Sequence, residues 1–187
     1  MPKGLGFPKK VSLKDGRTAT IDLLSEKDSP REMRAFINGL VDEGAMISWK
    51  RCFSLKEERG FLDKRLDAFR RGEGYLLVAR VGGRIAGDSG AERKEGKAMG
   101  NVEVGIGIAK PYRRIGLGEA LLRENIALAE RFFKPKNLVL TVFAENRRAR
   151  SLYKKLGFKP FAVFPDWILH KGKYMDMIFM KLDQTLV

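Results

Sequence analysis

The groups in this chain best suited to chemistry are backbone amides. Arg113-Arg114-Ile115-Gly116-Leu117-Gly118 stands between a strand-like run and a helix-like run. Gly116 and Gly118 carry no Cβ, so a ligand can approach the main chain closely. The first N–H groups of a helix have no partner inside it and carry partial positive charge. Arg113 and Arg114 add two full charges, and the whole suits a diphosphate. It is not a Walker A loop, because no Gly-Lys-Ser/Thr follows, nor is it the GxGxxG dinucleotide fingerprint. Alone, it also reads as an ordinary tight strand-to-helix turn. Other reactive groups are scarce. The single cysteine, Cys52, and single histidine, His170, exclude an internal disulfide and a Cys/His zinc cluster within one chain. A histidine-dependent triad would have to use His170, which has no serine or cysteine motif around it and precedes a Lys-Gly turn that should leave it exposed.

The elements that must position the loop are legible from period and punctuation. Residues 11–24 read as an extended segment broken by the hairpin-type turn Asp15-Gly16. Ser29-Pro30 opens a helix with Met33, Phe36, Ile37, Leu40 and Val41 at helical spacing. A second helix is predicted over about 55–71, ended by Gly72 and Gly74. The period then changes. A buried-type strand, 75–81, turns at Gly82-Gly83 into a return strand from Arg84. Asn101 to Ala109 alternates branched apolar residues with Glu or Gly. A helix from Gly116 to about Phe133 is stopped by Pro135, and 138–143 is the next strand. Asn146 caps a short helix whose C′ residue is Gly157. Two strands, 158–164 and 175–182, close the chain. This order predicts an α/β fold with a mixed, mostly antiparallel central sheet flanked by helices.

The chain has 187 residues and a mass of 21.1 kDa, enough for one substantial core. The expectation is one domain over 1–187, with 1–16 as an extra N-terminal segment. Lys and Arg total 37 against 23 Asp and Glu, a formal charge of +14. That excess favours an anionic partner such as nucleic acid, the ribosome or a polyphosphate ligand, and says nothing about fold. No interleaved aromatic stripe or nucleic-acid motif accompanies it. No apolar run approaches the roughly 20 residues of a membrane helix, and the first residues lack the apolar stretch of a signal peptide. A cytoplasmic protein without membrane association is expected. Abundant Lys and Glu with scarce Cys and His hint at a thermophile.

Two motifs in order, 102–125 and 140–158, resemble the GNAT family of N-acetyltransferases, in its general archaeal and bacterial branch. The family's acetyl-CoA motif, Gln/Arg-x-x-Gly-x-Gly/Ala after a strand, reads Arg113-Arg114-Ile115-Gly116-Leu117-Gly118 here. Its second motif, an Asn opening a short helix that ends in Tyr and Gly-Phe, reads Asn146 through Tyr153 to Gly157-Phe158. The similarity covers most of the chain and is poorest before Tyr75. It implies the GNAT fold and direct attack of a primary amine on acetyl-CoA in a ternary complex, without metal or acyl-enzyme. Carried over by position, the strand at Ile106, Gly107 and Ile108 pairs with the pantetheine arm, with the Ile108 N–H aimed at the thioester oxygen. Amides from Arg113 to Gly118 hold the diphosphate. Asn146 bonds the pantetheine region, and Tyr153 serves the leaving thiolate.

Each role has a plainer alternative. Tyr153 lies on an apolar stripe with Leu152 and Leu156, where a core tyrosine looks the same. Relatives that acetylate protein N-termini carry a Glu in a Leu-Glu-Val-Arg context, and Thr141 replaces it here. The base would then be Glu103, in Val102-Glu103-Val104, unless that Glu pairs with an arginine on the sheet surface. The run Arg147 to Arg150 serves the 3′-phosphate or is a solvated face. Trp49, Cys52 and Phe53 border the acceptor site or form a satellite core, and Asp166-Trp167 lines the acceptor cleft unless Trp167 serves the core or a dimer surface. A protein N-terminal or lysine acetyltransferase and a non-catalytic acyl-CoA-sensing or nucleic-acid-associated module remain alternative functions. A homodimer is compatible with the resemblance.

Overall fold

The computed structural model describes residues 5–183. Its strands are β1 (Lys9–Ser12), β2 (Thr18–Leu23), β3 (Gly74–Val81), β4 (Arg84–Arg93), β5 (Asn101–Ile108), β6 (Asn137–Phe143), β7 (Phe158–His170) and β8 (Lys173–Leu182). The helices are α1 (Pro30–Asp42), α2 (Leu55–Arg70), α3 (Leu117–Phe133) and α4 (Arg147–Lys155). One mixed eight-stranded sheet has the order β1-β2-β3-β4-β5-β6-β8-β7. Every neighbouring pair is antiparallel except β5 and β6, which run parallel. No helix among the described residues is long and apolar enough to cross a membrane.

The sheet has helices on both faces, and β3 shows why. Its residues 74–79 are all buried, as expected of a strand covered on both sides. Tyr75, Leu77, Ala79 and Val81 join the core beneath α3, with Leu121, Leu122, Leu128 and Phe133. The alternate residues Leu76 and Val78 pack with Met33, Leu62 and Leu66 of α1 and α2 on the opposite face. Ser54 and Glu57 form a reciprocal capping box that starts α2. Ser29 occupies the N-cap position of α1 without a side-chain cap bond, and Pro30 pre-sets the first turn.

The described part of the N-terminal segment belongs to the sheet, since β1 pairs with β2 at its edge. At the other edge, β7 runs past the expected end at Phe164 to His170. Register shifts at Pro160/Ala162 and Phe164/Ile168 let it absorb Pro165, Asp166 and Trp167 while keeping its ladder with β8. The outer surface of this edge carries exposed Phe161, Trp167 and Tyr174. His170 ends β7 half-buried, its ring edge-on to Phe143 at 5.5 Å, so it is less exposed than a turn residue would be.

One polar cluster crosses the α3 core. Asn125, fully buried on α3, donates to Ser89 Oγ at 2.6 Å and to the Gly90 carbonyl at 2.9 Å. Its Oδ1 accepts from the Tyr75 hydroxyl at 2.7 Å, and Ser89 donates to the Gly105 carbonyl at 2.8 Å. The cluster pins α3 to the middle of β3, β4 and β5, with each member satisfied by the others. Asn125→Ala strands several of these groups and is expected to cost about 3 kcal/mol of unfolding free energy, measurable by urea denaturation.

Candidate active site

The β5–β6 pair is short. Asn101, Val102 and Glu103 face Asn137, Leu138 and Val139, and pairing stops there. Beyond it β5 stays on β4 through Ile108, while β6 stays on β8 through Phe143. Ala109 donates to the Ala86 carbonyl at 3.0 Å, which fixes the direction of the amides before it. Amides alternate along a strand, so Gly105 and Gly107 face β4 while those of Ile106 and Ile108 face the gap. The result is a strand edge inside the sheet with unpaired donors and acceptors.

Helix α3 starts at the mouth of this gap. Gly116 is its N-cap residue at φ 87°, a left-handed conformation that a side chain would oppose. The Ala120 amide makes a turn bond to Gly116, so those of Leu117, Gly118 and Glu119 precede the helical ladder and stay free of it. Gly118 is packed between Ile108 and Leu152, whose carbons lie 3.6 Å from where its Cβ would be. Leu117 is fully buried and Ile115 packs on the core, so both serve the loop through their main chain. The two arginines divide. Arg113 pairs with Glu43 and donates from Nε to the Ile108 carbonyl at 2.9 Å, so its charge is neutralised within the fold. Arg114, at φ 68°, is exposed.

Gap and loop open into one cavity of about 1170 Å³. Glu103, Ile106, Gly107, Ile108, Arg113, Arg114, Gly116, Gly118, Asn146 and Tyr153 all line it, so the structure brings together nearly all of the expected site. Asn146 caps α4, its Oδ1 accepting from the Ala149 amide at 3.1 Å, which leaves Nδ2 to donate elsewhere. Tyr153 is 7% exposed, and burial pushes its phenol up to about 12. A core tyrosine normally finds a hydrogen-bond partner, as Tyr75 does. Among the described residues the Tyr153 hydroxyl has no hydrogen-bond partner, although the residue lines the cavity. That combination sets it apart from an ordinary core residue. Arg147 and Arg148 stand exposed at the rim, and Trp49 lines the wall, edge-on to Phe53 at 4.9 Å. Trp167 lies elsewhere, tilted against Phe164 and edge-on to Phe179 on the β7 surface.

The face of β4 and β5 beneath α1 and α2 is floored by Gly90, Gly105 and Gly107 and bears acids. Glu103 pairs with Lys94, and Glu92 with Arg65. Asp88 is the residue that sequence reasoning missed. It sits opposite Gly107 in the register, and a Cβ on Gly107 would fall 2.7 Å from Asp88 Oδ1 and 3.1 Å from Leu40. Desolvation pushes its carboxyl up to about 7, partly offset by Arg65 and the Gly107 main chain and reinforced by Glu58. Glu58 is itself 3% exposed and raised by burial. The sequence signal was faint, an acid in the middle of a hairpin strand, and only the register reveals its place. Among the described residues no cluster of His, Cys, Asp or Glu has the makings of a metal site.

Comparison with known proteins agrees with the fold. Residues 43–158 match the acetyltransferase (GNAT) family. The acetyltransferase of GNAT family from Streptococcus pneumoniae superposes with a TM-score of 0.77 at 28% identity, covering 87% of this chain and 98% of that one. YncA of Salmonella typhimurium, solved with its cofactor acetyl-CoA, shares the fold at a TM-score of 0.77 and 22% identity, over 89% of this chain and 95% of that one. In sequence, the L-amino acid N-acetyltransferase AaaT of Escherichia coli (strain K12) is 29% identical over 105 residues, 56% of this chain and 65% of AaaT. That alignment reaches less than two thirds of the relative's length. The chain belongs to the GNAT acetyltransferase family.

Proposed function

We propose that the protein is a single-domain N-acetyltransferase that moves the acetyl group of acetyl-CoA to a primary amine. The observation that carries this reading is the unpaired edge of Ile106 and Ile108 meeting the free amides of α3 in one cavity. A pantetheine arm can extend the sheet there as an added strand, its diphosphate lying at the helix N-terminus. The amides of Ile106 and Ile108 then donate to the thioester oxygen and to the oxyanion that forms from it.

The amine must lose a proton before it attacks. Asp88 is our choice of base. It lies on the acceptor side of the cavity, and a group that titrates near neutral pH is best matched to that task. Glu103 lines the same cavity, but its ion pair with Lys94 occupies the carboxylate. The nitrogen bonds to the acetyl carbon, the carbon–sulfur bond breaks, and the thiolate takes a proton. Tyr153, protonated throughout the neutral range, is the donor beside it. The acceptor side is lined by Asp88, Glu92 and Glu103 against Arg65, with Lys94 paired to Glu103. That excess of negative charge in a basic chain favours a cationic acceptor over one led by its carboxylate.

Thiol release from acetyl-CoA is expected with at least one primary amine, and its absence across polyamines, amino acids, aminoglycosides and N-terminal peptides would argue against turnover. Wild-type kcat/KM should rise with pH and level off above about 7, as Asp88 deprotonates. Asp88→Asn should lower it about 100-fold and remove this limb. Glu103→Gln should leave the limb in place, and a Glu103→Gln enzyme without it would move the base to Glu103. Asp88 prefers its neutral form when folded, so its charged form destabilises the fold as pH rises from about 4 to 7. Asp88→Asn should therefore stabilise the fold more at pH 8 than at pH 5. Tyr153→Phe should reduce kcat about tenfold or more while leaving KM for acetyl-CoA nearly unchanged, read from initial rates.

A further inference from the structure

The motif supplies only part of the positive charge around the glycine loop, through the exposed Arg114. Arg113 is neutralised by Glu43, and Glu119 in the first turn of α3 pairs with Arg123 and Lys155. A lysine from outside the family-matching segment lies on the loop beside Arg114. The turn between β1 and β2 closes through Leu13 N–H to Arg17 carbonyl and Gly16 N–H to Leu13 carbonyl bonds, with the Leu13 side chain buried. This turn is fastened to the loop twice. The Lys14 amide donates to the Ile115 carbonyl at 3.0 Å, and the Arg17 guanidinium lies 5.1 Å from the centre of the Tyr112 ring.

These anchors lay the Lys14 side chain along Gly116. Its Cγ, Cε and Cδ atoms are 3.6, 3.8 and 4.0 Å from the position a Cβ on Gly116 would take. The residue lines the same cavity as the loop and is exposed. The two cations of the turn differ in their partners. Arg17 is tied to Asp15 at 2.7 Å, whereas Lys14 forms no ion pair with a described acid. A flexible ammonium held by its stem beside a left-handed glycine, next to three unbonded helix amides, faces a place built for negative charge.

We propose that Lys14 is a phosphate-binding residue of the cofactor site, pairing with the diphosphate of acetyl-CoA and making the N-terminal hairpin a functional wall of that site. The assignment rests on the cofactor reading above but can fail separately from it. Diphosphate is favoured over the 3′-phosphate because the Lys14 stem lies on Gly116, where the free amides of α3 begin.

Calorimetry with CoA and with 3′-dephospho-CoA tests this on the wild type, Lys14→Ala and Lys14→Arg. Lys14→Ala should weaken both ligands about five- to tenfold, to the same extent, and flatten the dependence of log Kd on log salt. Lys14→Arg should retain most of the affinity. Lys14 is exposed on a turn, and thermal melts of the variants should overlay that of the wild type. Equal affinity of wild type and Lys14→Ala for CoA would overturn the proposal while leaving the cofactor reading intact. A loss confined to CoA, with 3′-dephospho-CoA unaffected, would overturn the diphosphate assignment. A wild type that binds neither ligand would overturn the cofactor reading and this proposal with it.

Discussion

The parting of β5 from β6 after Glu103 is the constraint on which the rest of the molecule depends. A sheet normally satisfies its central strands on both edges, and an unpaired buried amide costs about 1–3 kcal/mol. Here the β5 edge beyond Glu103 is left open in the middle of an eight-stranded sheet. The opening is held from both sides. On one side β4 keeps β5 in register as far as Ile108, and on the other β8 holds β6 as far as Phe143. Arg113 caps the end of the gap by taking the Ile108 carbonyl, and its pair with Glu43 ties that end to the close of α1. The unfilled hydrogen bonds are thus a fixed feature of the fold, available to a ligand with amides of its own.

The surrounding structure follows from keeping that edge rigid and reachable. The Asn125 cluster locks α3 against β4 and β5 near Gly90 and Gly105, which sets where the helix amides begin relative to the gap. On the other face, Gly105 and Gly107 strip β5 of side chains. Gly107 in particular lets Leu40 of α1 and the Asp88 carboxyl come within contact of the strand. The same close packing leaves Asp88 only partly solvated and moves its titration toward neutrality. One backbone arrangement therefore accounts for the cofactor cleft, the acceptor floor and the state of the acid between them.

What was legible in the sequence was local. The alternation in 101–109, the glycine loop, the Asn146 cap and the Gly157 terminator are each written within a few residues, and each stands where expected. What was not legible depended on register or on distant partners. Asp88 owes its importance to lying across from Gly107. Arg113 meets Glu43, 70 residues away, so its charge is spent in the fold. Glu103 meets a lysine where an arginine was the stated alternative to a catalytic role. β7 continues through a Pro-Asp-Trp stretch that reads as a strand end, because bulges let the ladder resume beyond it. The segment before Gly16 looked like an appendage, yet it supplies the edge strand and the turn that fasten onto the loop. The charge of +14 is likewise only partly explained by the site, through Lys14, Arg114, Arg147 and Arg148 at the cavity.

The most direct test of the open strand edge is amide hydrogen exchange resolved by residue, with and without CoA. The amides of Ile106 and Ile108 should exchange quickly in the free protein and become strongly protected on binding, together with Leu117, Gly118 and Glu119. Those of Gly105 and Gly107, already bonded to β4, should change little. Protection of Ile106 and Ile108 before CoA is added, or no change at them when it binds, would contradict the view that this edge is where the ligand joins the sheet.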